Sequence, residues 1–106
     1  MPINRYHFDL GIDSEGESWM REIYNYLAGH QDSAYSYQEL LSVIRLRFRP
    51  KGIEGFDNEA DKANFERALD ALVWIGAVDT RKIDDTAYYA FLKEFDTSSW
   101  EPKVRV

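Results

Sequence analysis

The spacing of hydrophobic positions changes several times along the chain, and each change marks an element. From Ile3 to Leu10 the pattern alternates, with Tyr6, Phe8 and Leu10 on one side and Arg5, His7 and Asp9 on the other. A period of two belongs to a half-buried strand, so residues 1–13 are expected to form a short strand or extended arm. The period then lengthens. Trp19, Ile23, Tyr26 and Leu27 recur at helical spacing and predict a first helix over 14–29. Ser14 and Glu17 at its start fit a capping box, and Gly29 offers a natural end.

A second helix is expected over 36–49, where Leu40, Leu41, Ile44 and Phe48 give one apolar face. Ser36 and Glu39 form another capping box, and Tyr35 and Leu40 stand where a hydrophobic staple would pack. Pro50 ends the helix, because the residue before a proline avoids helical geometry. Lys51 to Asp57, with two glycines, reads as a loop. Phe65, Leu69, Leu72 and Val73 predict a third helix over 58–75. Asp57 or Asn58 is its expected cap, Glu59 and Asp61 lie in its first turn, and Gly76 takes the left-handed closing position.

A hairpin over 77–92 should follow, turning at Ile83-Asp84-Asp85-Thr86, with the β-formers Tyr88, Tyr89 and Phe91 in its second strand. Residues 93–106 are expected to be a tail that Phe95 and Trp100 dock. Neither an internal repeat nor a low-complexity tract is present.

Composition narrows the class. A chain of 106 residues, 44% hydrophobic and 30% charged, is the size and balance of one globular domain, 1–106. The chain has no cysteine, so disulfides, thiolate metal sites and thiol catalysis are excluded. No apolar run of signal-peptide or membrane-spanning length occurs, and a cytoplasmic protein is expected. Aromatic residues reach 15%, with seven tyrosines and three tryptophans, more than a small domain easily buries. A surplus of that kind points to a contact surface.

Charge complicates the picture. The formal net charge is −6, yet "IRLRFRPKG", Ile44 to Gly52, concentrates three arginines and a lysine. Residues 36–56 sum to +2 between flanks of −4 (1–35) and −3 (57–75). On a helix Arg45 and Arg49 share a face while Arg47 points nearly opposite, so the cations fan around a last turn where the helix dipole favours them. A protein built to grip duplex DNA is usually basic overall, since neutralised phosphates supply most non-specific affinity.

Catalytic chemistry finds little support. His7 and Asp9 lack a third or fourth metal ligand, and His30 stands where it caps helix carbonyls. Asp84 and Asp85 suit a turn for backbone reasons. Neither a nucleophile elbow nor a phosphate-cradling glycine loop is present. No catalytic residue, metal, cofactor or small-molecule substrate is expected.

An arm, three helices and a hairpin directly after the third helix resemble the winged helix-turn-helix superfamily. "FERALDALVWIGAVDTRKIDDTAYYAF", Phe65 to Phe91, is similar to the junction of recognition helix and wing. The resemblance implies an α+β winged-helix fold, with the third helix entering a major groove and the hairpin brushing the flanking backbone. Two features depart from that pattern. The outer face of the third helix carries Glu59, Glu66 and Asp70 against Lys62 and Arg67, and Val73 and Trp74 stand where polar residues usually precede the glycine. "ALDALVWIGAVD" also resembles, over about a dozen residues, small middle components of bacterial three-component ATPase systems, thought to act as adaptors.

The leading expectation is therefore a non-catalytic protein-binding adaptor or small subunit, as a homodimer or with a protein partner. Its contact residues would be Val73, Trp74, Tyr24 and Tyr26. The alternative is a double-stranded DNA-binding regulator using Arg45, Arg47, Arg49, Lys51, Lys62, Arg67, Arg81 and Lys82.

Overall fold

The computed structural model describes residues 5–48 and 59–94 and gives an α+β architecture. Its first element corrects an expectation. Arg5–Leu10 is a helix, α1, rather than a strand or arm. Six residues are too few for alternation to be told from helical period, and the closing signal decides the matter. Gly11, at φ +69°, donates its N–H to the carbonyls of His7 (2.9 Å) and Phe8 (3.3 Å), and Ile12 N–H reaches His7 O at 3.2 Å. That is a Schellman closure, and it turns Ile12 into the core. A contact of 2.5 Å between His7 Nε2 and Glu17 Oε2 ties α1 to the next helix.

Helix α2, Ser14–Ala28, is capped by Asp13 and not by Ser14. The Asp13 backbone is extended, as a cap requires, and its carboxylate accepts from Gly16 N–H at 2.8 Å. A charged acceptor one residue earlier displaces the weaker serine hydroxyl. Glycine suits position 16 because a Cβ there would meet Ile12 Cβ at 3.1 Å, tighter than an ordinary contact. At the other end Gly29 has φ −79° and is not left-handed. The last carbonyls are met by backbone and side chains together: His30 N–H reaches Leu27 O at 3.1 Å, His30 Nδ1 bonds Tyr26 O at 2.7 Å and Gln31 Nε2 bonds Ala28 O at 3.0 Å.

Tyr35–Ser36 forms a two-residue strand, β1, which leaves no periodicity for the sequence to betray. Helix α3, Tyr37–Phe48, starts on a reciprocal capping box. Ser36 N–H donates to Glu39 Oε1 at 2.9 Å, and Glu39 N–H to Ser36 Oγ at 3.3 Å. Helix α4, Glu59–Ile75, closes as α1 does: Gly76 (φ +85°) donates to Val73 O at 3.1 Å and Ala77 to Leu72 O at 3.0 Å. The expected loop 51–57 and its neighbours Arg49, Pro50 and Asn58 lie outside the described residues, as do Phe95 and Trp100.

Strands β2 (Val78–Ile83) and β3 (Thr86–Phe91) make an antiparallel hairpin, with Ile83 opposite Thr86. Asp84 and Asp85 both have positive φ, +49° and +65°, the requirement of a two-residue type I′ turn. Strand β1 adds to β3 through Tyr35–Tyr89 and Ser36–Tyr88, giving the sheet order β1-β3-β2. Beyond Val78 every residue of β2 is exposed, while β3 is half-buried and packs Tyr89 and Phe91 against the core.

That core centres on Trp19, which is 1% exposed. Its ring stacks on Phe48 of α3 at 4.2 Å and 8°, and meets Phe65 of α4 edge-on at 6.5 Å. One side chain thus joins all three long helices. Ile23, Leu27, Leu40, Ile44, Leu69 and Leu72 fill the space around it.

Candidate interaction surface

Helix α4 presents two opposed faces. Phe65, Ala68, Leu69 and Leu72 are buried, while Glu66, Asp70 and Trp74, successive at four-residue spacing, form an exposed stripe. Trp74 is 44% exposed, unusual for the largest apolar side chain in a domain whose core is otherwise filled. Glu66 is held in place on this stripe. Tyr37 O–H donates to its Oε1 at 2.7 Å, and burial, with the Glu66 carboxylate second, pushes the Tyr37 phenol up to about 12.

Helix α1 lies alongside and extends the surface. A cavity of about 390 Å³ is lined by Asp9 and Leu10 of α1 and by Arg67, Asp70, Ala71 and Trp74 of α4. A second, of about 310 Å³, is lined by His7, Phe8, Gly11, Ile12, Asp13 and again Arg67. Phe8 is 66% exposed at its edge. The two cavities share Arg67, which donates from Nη2 to Asn64 Oδ1 at 3.0 Å. The Asp13 carboxyl is held below its ordinary range, first by Gly16 N–H and in smaller part by Arg67.

Of the residues expected at a protein interface, Trp74 alone stands exposed. Val73 is half-buried and packs against the core. Tyr24 faces Phe91 of β3 with ring centroids 5.9 Å apart. Tyr26 stacks on His30 at 4.2 Å and meets Tyr35 edge-on at 5.3 Å. Its phenol is raised, chiefly by a hydrogen bond with Tyr35 and then by burial. Both tyrosines are thus engaged with β1 and β3, which explains how a small domain accommodates so many aromatic rings.

Among the described residues, the expected cations are spread over α3, α4 and β2. Arg45 is half-buried on α3. Arg47 pairs with Glu22 of α2 at 3.5 Å and lies 5.8 Å from the Tyr26 ring centroid, so its charge is turned toward α2. Lys62 is half-buried near the start of α4, Arg67 is exposed and lines both cavities beside α1, and Arg81 and Lys82 are exposed on β2. Arg49 and Lys51 lie outside the described residues. The arginine run is therefore in part the solvated and paired end of a helix.

Phe8, Asp9 and Leu10 reach this surface because α1 is a helix, which the alternating pattern of residues 3–10 does not indicate. The signal that could have found them is Leu10-Gly11-Ile12, a glycine followed by an apolar residue after a short apolar run. Among the described residues, no three His, Asp or Glu side chains are placed to hold a metal ion. None of their helices is long and apolar enough to cross a membrane. No family model, curated protein or solved structure matches this chain.

Proposed function

We propose that the protein is a non-catalytic winged-helix adaptor, or a small subunit of a larger assembly, that binds a protein partner through the outer face of α4 and the adjoining α1. The winged-helix assignment is supported by the order of α2, β1, α3 and α4 ahead of a hairpin, with β1 joined to β3. The observation that carries the function is Trp74. An exposed indole beside Leu10 and Ala71 is an anchor of the kind enriched at interface centres. In a DNA-binding winged helix this face would meet phosphates, and Glu66 and Asp70 stand on it.

Replacing Trp74 by glutamine tests the reading. The variant should melt as the wild type does, because the indole lies outside the core. It should also lose the partner that copurifies with the untagged wild-type protein from its native host. An anchor tryptophan is typically worth about 2 kcal/mol or more, roughly thirtyfold in affinity. A variant that melts far earlier, or that keeps its partner, contradicts the proposal.

The second reading is a double-stranded DNA-binding regulator. What favours it is the exposed Arg81 and Lys82 on the hairpin, where a wing would touch the backbone flanking a major groove. Copurification of nucleic acid in place of protein would put it first.

A further inference from the structure

The α1–α4 surface has a chemical character that narrows its partner. Around the exposed indole of Trp74 the cavity carries the carboxylates of Asp9 and Asp70, and Glu66 lies one turn before Asp70 on the same stripe. Among the described residues the cation in the lining is Arg67, exposed, which donates from Nη2 to Asn64 and in smaller part lowers the Asp13 carboxyl below its ordinary range. The apolar floor is Leu10, Ala71 and the indole. An acidic or phosphorylated partner would meet like charge here. A cation would meet an aromatic face and carboxylates together, the combination that recognises guanidinium and ammonium groups.

Resting on the adaptor reading, we infer that the partner contributes a basic amphipathic helix, with a leucine-like side chain seated in the cavity and an arginine or lysine over Trp74 beside Asp70. Helix-in-groove recognition reads apolar anchors at helical spacing, and the flanking carboxylates set the sign of the partner's polar face. The cavity is open to solvent rather than enclosed, which suits side chains projecting from a docked helix.

The test uses two synthetic helical peptides that share one leucine face. One carries arginine on its other face and the second carries glutamate there. Each is titrated into the full-length isotope-labelled protein, and amide and indole resonances are followed. The arginine peptide should shift resonances of α1 and α4, including the Trp74 indole, and the glutamate peptide should not. Trp74→Gln should weaken binding about threefold or more, the range of an exposed cation–π contact. Asp70→Asn should weaken it about two- to fivefold. Asp85→Asn removes one carboxylate from the hairpin turn and should leave affinity unchanged. The inference is overturned by equal binding of both peptides, by shifts centred elsewhere, or by Asp85→Asn weakening binding as much as Asp70→Asn, which would mean diffuse attraction to a chain of charge −6. Any of these failures, with Trp74→Gln still losing the native partner, leaves the adaptor reading standing and removes only the basic character assigned to the partner.

Discussion

Gly76 links the helix that bears the candidate surface to the hairpin, and its substitution isolates a single physical effect. At φ +85° the backbone is in a region that side chains with a Cβ adopt only under strain. Space is not the obstacle: a Cβ there would meet Lys93 Cε at 3.5 Å, an ordinary contact with the end of a flexible side chain. The cost of Gly76→Val is therefore conformational, about 2–3 kcal/mol for a β-branched residue held in so sparse a region. Gly76→Asn should cost roughly 1 kcal/mol, because asparagine tolerates left-handed backbone. For a domain of this size each kcal/mol lowers Tm by about 4–8 °C, so the valine variant should melt at least about 8 °C early. Gly29→Ala is the control. Gly29 has φ −79° and a Cβ there meets only backbone carbonyls at 3.4 and 3.6 Å, so alanine should be neutral or stabilise by about 0.4–1 kcal/mol. Thermal melts followed by circular dichroism check all three. Equal Tm values for the wild type and Gly76→Val would refute the left-handed closure and with it the joint between α4 and the hairpin.

Other expectations follow from the same geometry. Trp19→Ala removes the ring that stacks on Phe48 and meets Phe65, and should cost about 3–5 kcal/mol in denaturant titration, enough to unfold a marginal domain. Ser36→Ala breaks one half of the reciprocal cap and should cost about 0.5–2 kcal/mol; a double-mutant cycle with Glu39→Ala should give less than the sum. The Tyr37 phenol is raised in the fold, so the stability it contributes is complete below pH 10 and is lost as pH rises from about 10 through 12; Tyr37→Phe should flatten that alkaline limb. A generic DNA duplex at low salt should show little or no mobility shift. Micromolar binding abolished by reversing Arg45, Arg47 and Arg49 to glutamate would put the DNA reading first.

Much of this fold was legible because its strongest signals are local. The Ser36–Glu39 box, Gly76 after an apolar repeat, and a two-aspartate turn between β-forming runs each specify backbone geometry within a few residues. What was not legible depended on partners far away in sequence. The two residues of β1 are a strand only because β3 lies beside them. Alternation in α1 misled because six residues satisfy both periods, and its contact partner Glu17 lies ten residues on. Asp13 outcompeted Ser14 through carboxylate strength, which spacing does not reveal. At the surface, exposure of Trp74 could be weighed but not decided from the sequence, since Val73 beside it faces the core. Arg47 is a further case: its neighbours Glu22 and Tyr26 lie on α2, more than twenty residues earlier, where sequence spacing does not show them.

Trp74 is the proposed contact with a protein partner, and hydroxyl-radical footprinting reads that contact at the side chain itself. Oxidation is measured by mass spectrometry on the purified protein and on the assembly isolated from its native host. Trp74, Phe8 and Leu10 should react readily in the free protein and be protected together in the assembly, while Leu46 of α3 and Ile83 of the hairpin turn, both exposed, remain reactive. Unchanged oxidation of Trp74 in the assembly, with protection falling on Leu46 or Ile83 instead, would contradict the account.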